Sequence, residues 1–305
     1  MNKINADCFM PLPISQKTQK PVIHFAHANG MPSAVYEPLF AGLAEFFTIE
    51  YIPILGDHPD YPIDDNWQCL TQQIIDSVAQ TCESHGVSQV VAVGHSLGAL
   101  CTLQALYRAP KHFNQAILLD PHWIYGKTSL LWHLAKMGDK LPFMNHWLID
   151  KLSPAGISSR RRDVWDSRAD AYQQLRHKGF FKNFDERSFK GYIQHGLHER
   201  ADGKVTLAIP KASEVAVFRT NPSWYWLTPN RAPKPPTTLV IGEESLFLKR
   251  QFPQQIQKRL SIPYRTHQGG HMFVLEHPES VSALVLMLIA QQLLANNEQS
   301  TTRTR

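Results

Sequence analysis

The chain is 305 residues long and 43% apolar, which suits one large α/β domain with an insertion, or two small domains, around a sizeable core. No apolar run reaches transmembrane length and the N-terminus has no apolar signal core, so a cytoplasmic protein with no membrane span is expected; four scattered cysteines (Cys8, Cys69, Cys82 and Cys101), without CxxC or HExxH, predict reduced thiols, no metal and no cofactor. A net charge of +5 comes without a nucleic-acid-binding motif, so no nucleic-acid partner is expected.

Residues 1 to 20 read as an irregular or partly stranded lead-in. Val22–Ala26 is a short buried strand that runs into the turn-rich loop His27-Ala28-Asn29-Gly30-Met31-Pro32. Helical periodicity covers Val35 to Phe46, and Thr48 to Pro53 reads as the next strand. An amphipathic helix from Trp67 to His85 should end at Gly86. Gln89–Val93 is a strand, Ala99–Tyr107 a helix, and Gln115–Leu119 a strand ending at Asp120-Pro121. Residues 122 to about 228 are helical, aromatic and basic, with six of the seven tryptophans and few strand-like runs. The Pro-rich stretch 229–236 returns the chain to a strand at Thr237–Ile241, a helix at Phe252–Leu260, a strand at Pro263–His267 and a closing helix at Val281–Leu294. There are no internal repeats.

Strands alternating with helices predict a mostly parallel, doubly wound sheet. The helical stretch 122–232 would then be an insertion at the carboxyl end of that sheet, where such sheets bind ligands, and it can act as a lid over a core formed by 1–121 and 233–305. Between Pro121 and Ala232 there are 18 Lys/Arg against 10 Asp/Glu, while the rest of the chain has 13 against 16. This excess is read either as a solvated basic face or as attraction for an anionic substrate.

The chemistry-bearing stretch is Val91–Leu106, "VAVGHSLGALCTLQAL". A strand that turns sharply into a helix carries one residue at a strained apex, and bulky neighbours two positions either side would collide. Gly94 and Gly98 stand at those positions around Ser96. The apex side chain then projects beyond the sheet, beside the unpaired N–H groups of a helix N-terminus, which is a place to build an acyl-transfer site.

Four stretches, "HANGMPSAVYEPL", "VAVGHSLGAL", "AILLDP" and "HQGGHMFVLEHPE", make the chain resemble the α/β-hydrolase superfamily, in its lidded, esterase- and lipase-like serine-hydrolase branch. The resemblance implies an α/β-hydrolase fold with the helical lid inserted after the strand ending at Asp120. Ser96 would be the nucleophile. His271, following a strand and two glycines, would be its base, and His24, His95, His195, His267 and His277 are left as ordinary core or surface residues. The backbone N–H groups of Leu97 and Asn29 would form the oxyanion hole. The third member departs from the family pattern, because the position where the acid commonly stands, after "TTLVIG", is Ser245. Glu243 or Glu244 are displaced candidates. Asp120, at the end of the strand after the elbow helix, is preferred, as in some relatives.

These roles describe a cofactor-independent hydrolase of a small-molecule ester or thioester with an apolar portion. Carbon–carbon bond hydrolysis or lyase chemistry on the same fold is one alternative, and a weakly catalytic ligand-binding protein is another. The oligomeric state is not readable from the sequence.

Overall fold

The computed structural model describes residues 20–141 and 145–303. The expected lead-in and Cys8 lie outside the described residues, apart from Lys20. The chain runs β1 (Val22–Ala26), α1 (Glu37–Leu43), β2 (Thr48–Tyr51), α2 (Gln68–His85), β3 (Val90–His95), α3 (Leu97–Arg108) and β4 (Phe113–Leu119). An insertion follows, with helices α4 (Gly126–Asp139), α5 (Trp147–Leu152), α6 (Ala155–Ser158), α7 (Arg168–Arg176), α8 (Glu186–His195) and α9 (Lys211–Arg219). Three short strands lie among them: β5 (Val164–Trp165), β6 (Leu197–Glu199) and β7 (Val205–Leu207). The chain closes with β8 (Thr237–Gly242), α10 (Leu246–Lys249), α11 (Phe252–Leu260), β9 (Tyr264–His267), α12 (Phe273–Glu276) and α13 (Pro278–Arg303).

The main sheet has the order β2-β1-β3-β4-β8-β9, and every pair in it is parallel. Its apolar strands are buried on both faces, which is why they read as continuous runs. Ile23, Phe25, Val91, Val93 and Ile117 point to the side covered by α1 and α13. Val90, Ala92, Leu118, Leu239 and Ile241 point to the side of α2, α3 and α11. The alternation along each strand therefore divides one sheet between two cores.

Element boundaries shift where proline decides them. The helix expected over Val35–Phe46 is a 3-10 turn at Ser33–Tyr36 followed by α1, because Pro38 has no N–H to give and fits only the first helical turn. For the same reason α13 starts at Pro278 rather than Val281. Gly86 ends α2 at φ 62°, with its N–H on Glu83 and that of Val87 on Cys82, as a left-handed C-terminal cap requires.

The insertion is less purely helical than expected. β5, β7 and β6 form a three-stranded antiparallel sheet. The β6–β7 hairpin is closed by Ala201-Asp202-Gly203, with Gly203 at φ +79°. Strands of two or three residues are too short to show an alternating pattern, so the sequence carries no strand signal there. The insertion is stitched to both cores: Trp165, Phe181, Phe189 and Tyr192 join the α1 side, and Trp123, Val217 and Tyr225 join the other.

Candidate active site

Ser96 sits at the break between β3 and α3 with φ 54° and ψ −109°, a strained conformation for a residue with a side chain. The two glycines permit it by close approach. A Cβ on Gly98 would lie 2.2 Å from the Ala26 carbonyl oxygen, and one on Gly94 would lie 2.8 Å from the backbone of Ala99. Space freed at Gly98 is used at once, since its N–H donates to the His27 carbonyl at 3.0 Å. That bond ties the elbow to the loop after β1, where Asn29 stands. Leu97 opens α3, so its N–H has no acceptor within the helix. Asn29 is itself held by its side-chain amide, which donates to the Glu214 carbonyl of α9 at 3.0 Å.

Ser96 Oγ donates to His271 Nε2 at 2.8 Å, and His271 Nδ1 donates to Asp120 Oδ2. The three residues follow the carboxyl ends of three parallel strands, β3, β4 and β9. Asp120 is fully buried and adopts φ 38°. A buried carboxylate needs donors, and it has them. Its Oδ1 accepts from Gly242 N–H at 3.2 Å, and its Oδ2 also accepts from Ser245 Oγ at 2.8 Å. Ser245, where the resemblance would place the acid, thus donates to Asp120 instead. Glu243 and Glu244 are both exposed; their N–H groups donate to the carbonyls of His267 and Gly269, and neither side chain meets His271.

His95 is a core residue, as expected, and it also links two parts of the site. It is fully buried, and burial lowers its pKa to about 3, so the ring is neutral. Its Nε2 lies 2.9 Å from the His271 carbonyl, so that nitrogen carries the proton and donates. Nδ1 then accepts from the Tyr36 hydroxyl at 2.7 Å, and the same hydroxyl accepts from Ala28 N–H at 3.3 Å. One chain of hydrogen bonds therefore runs from the loop of Asn29 to the backbone of His271. His122 also escaped the sequence reading. Its N–H donates to the Ser96 carbonyl at 3.2 Å, and its ring faces Phe247 at 5.2 Å and His271 at 6.4 Å. The rings of Trp67 and Phe218 lie 6.4 and 6.2 Å from that of His122, so His122 stands in an aromatic cluster next to His271. Among the described residues no group of three His, Cys, Asp or Glu could hold a metal ion.

A strand-end serine, histidine and carboxylate on a parallel sheet of this order define a class, and comparison with known proteins agrees. The family model described as "Alpha/beta hydrolase family" matches residues 25–284, and the chain belongs to that family. A probable 1-acylglycerol-3-phosphate O-acyltransferase of Oryza sativa subsp. japonica is 22% identical over 299 residues, covering 92% of this chain and 69% of the relative. Among solved structures, a peroxisomal alpha-beta-hydrolase of Saccharomyces cerevisiae superposes with a TM-score of 0.68 at 17% identity, over 93% of this chain and 80% of that one. An M. tuberculosis esterase does so with a TM-score of 0.64 at 17% identity, over 89% and 86%.

Proposed function

We propose that this α/β hydrolase is a cofactor-independent serine hydrolase that cleaves a carboxylic ester or thioester through an acyl-enzyme on Ser96. The observation that carries the reading is the continuous hydrogen-bonded chain from Ser96 through His271 to Asp120. A free hydroxyl is a poor nucleophile, and His271 Nε2 is placed to take its proton as the bond to the carbonyl carbon forms. Asp120 holds the Nδ1–H tautomer and stabilises the imidazolium. The N–H groups of Leu97 and Asn29 receive the oxyanion, a contribution of about 10²–10³ in rate per donor in enzymes of this kind. His271 then returns the proton to the leaving group, and water releases the acyl group by the same route.

In this reading residues 122–232 form a lid over the core of 1–121 and 233–305. The aromatic character of that segment, together with Phe218 and Phe247 around His122 next to His271, favours an apolar acyl or alcohol portion. The test is a p-nitrophenyl ester series from short to long acyl chains, with covalent labelling by a fluorophosphonate. Turnover and labelling, both lost in Ser96→Ala, support the reading. Labelling of Ser96 with no ester turned over would move the assignment to carbon–carbon bond cleavage. Absence of both would leave a binding protein.

A further inference from the structure

Helix α4 is apolar on two faces. Trp132 and Ala135 pack inward against Ile149 of α5. On the opposite side Leu131, Leu134 and Met137, followed by Leu141, are 66%, 54%, 57% and 49% exposed. At about 100° per residue these four fall in one stripe. Trp147 and Leu152 on α5, which packs against α4, and Ile157 on α6, which packs against α5, are 59–73% exposed. Seven of the 16 exposed large hydrophobic residues among those described therefore lie between Leu131 and Ile157. Scattered exposed leucines need no explanation, but a concentration of this kind marks a contact surface.

Charge says what the contact is. Residues 126–162 contain seven Lys/Arg and two Asp, and three of the cations are matched by acids from elsewhere: Lys136 by Asp65, Arg161 by Glu214 and Arg162 by Asp170. Both acids are occupied: Asp139 is buried and bonded to His146, and Asp150 is bonded to Arg219 through both oxygens at 2.8 and 2.7 Å. Lys127, Lys140, Lys151 and Arg160 are exposed, and Lys151 lies over the Trp147 ring at 4.8 Å. At the start of α4 there is also a groove of about 510 Å³, in which Lys127, Lys258 and Arg259 stand beside Leu130, Trp226 and Tyr125, with no carboxylate in its lining. A second copy of the chain would bring like charges face to face. No helix among the described residues is long and apolar enough to cross a membrane.

We propose that the α4–α5 face docks on an anionic lipid bilayer. The stripe and Trp147 enter the boundary between headgroups and acyl chains, and the cations of the groove meet lipid phosphates. Exposed leucine, tryptophan as an interfacial anchor, and a lysine-rich margin are what such an interface binds. The inference does not depend on Ser96, because it concerns binding and not turnover.

The test is flotation of the full chain with vesicles of phosphatidylcholine alone and of phosphatidylcholine with an equal part of phosphatidylglycerol. The protein should float with the anionic vesicles, and binding should fall as salt shortens the screening length from ~10 Å at 0.1 M to ~3 Å at 1 M. Lys127→Gln and Lys258→Gln should each weaken partitioning about fivefold. Leu131→Gln with Leu134→Gln should weaken it at least tenfold. All four positions lie outside the catalytic chain, so hydrolysis of a short soluble ester should be unchanged, which also shows that the variants fold. No flotation with anionic vesicles overturns the proposal. So does a concentration-dependent dimer, seen by sedimentation and dissolved by Leu131→Gln, which would assign the face to a second copy.

Discussion

The two halves of the site are held by different forces. On the β1–β3 side the elbow and the loop of Asn29 are joined backbone to backbone, through Gly98 N–H on the His27 carbonyl, and side chains are excluded by contact at 2.2 Å. On the β4–β8–β9 side the parts are joined through one carboxylate, which accepts from Gly242, Ser245 and His271. Backbone contacts cannot be traded one residue at a time. A carboxylate can move between strand ends, provided something donates to it where it lands. On the proposed assignment, the difference is why the elbow follows the family pattern while the acid stands at another strand end.

Ser96→Ala should bring the largest loss, about 10⁶ in kcat, and His271→Ala with Ser96→Ala should be no worse than either alone, because the two act as a unit. Ester kinetics on the three variants check this; additive losses would separate the pair. Next comes the carboxylate. Asp120→Asn keeps the shape but permits the wrong imidazole tautomer, a change that costs about 10⁴ in kcat in a serine protease. KM should hardly move, and Glu243→Gln and Glu244→Gln should behave as wild type. A crippled Glu244→Gln beside an active Asp120→Asn would reverse the comparison.

Gly98→Ala probes the backbone-held half directly. The added methyl has nowhere to go against the Ala26 carbonyl, and the variant should lose about 3 kcal/mol of stability or fail to fold, as read by urea unfolding. The same half should be acid-sensitive. Burial lowers the pKa of His27 to about 4 and that of His95 to about 3. Both values lie below the unfolded value of about 6.5, so on acidification the unfolded chain takes up protons first. Stability is whole above that value and falls towards the folded pKa values, by roughly 2 kcal/mol for each ring at about pH 5. Urea midpoints that stay level between about pH 7 and 5 would remove this account.

The smallest effect belongs to Ser245. Ser245→Ala takes one of several donors from Asp120, worth about tenfold in kcat with KM unchanged. Ser245→Asp should be worse, because it sets a second carboxylate beside the first. An active Ser245→Asp in an Asp120→Asn background would show that both strand ends can carry the acid.

Much of this arrangement is legible in the sequence. Ser96 stands between two glycines where an apolar run changes to helical periodicity, and His271 follows a strand and a glycine pair; both signals are local. Asp120 was legible by position, as a carboxylate ending a buried strand, and by the serine in the usual slot. Ser245 as a donor was not, since a serine after a strand reads as an ordinary helix cap, a role it also fills by accepting from Phe247 N–H. The antiparallel sheet of the insertion and the exposed stripe of α4 were also missed. A helix that is apolar on two faces reads as buried, and its sequence does not say which face lacks a neighbour.

Features encoded within a few residues could be read directly: the apolar runs that bury β1, β3, β4 and β8 on both faces, the glycines that allow a strained apex, and the prolines in the first turns of α1 and α13. Partnerships across long separations form only in the folded chain. Tyr36 reaches His95 over 59 residues, and His95 reaches the His271 carbonyl over 176. Such bonds depend on which strand ends adjoin in the finished sheet. A tyrosine before a helix or a histidine beside an elbow carries no local mark of them, because hydrogen bonding is satisfied in three dimensions while periodicity is written in one.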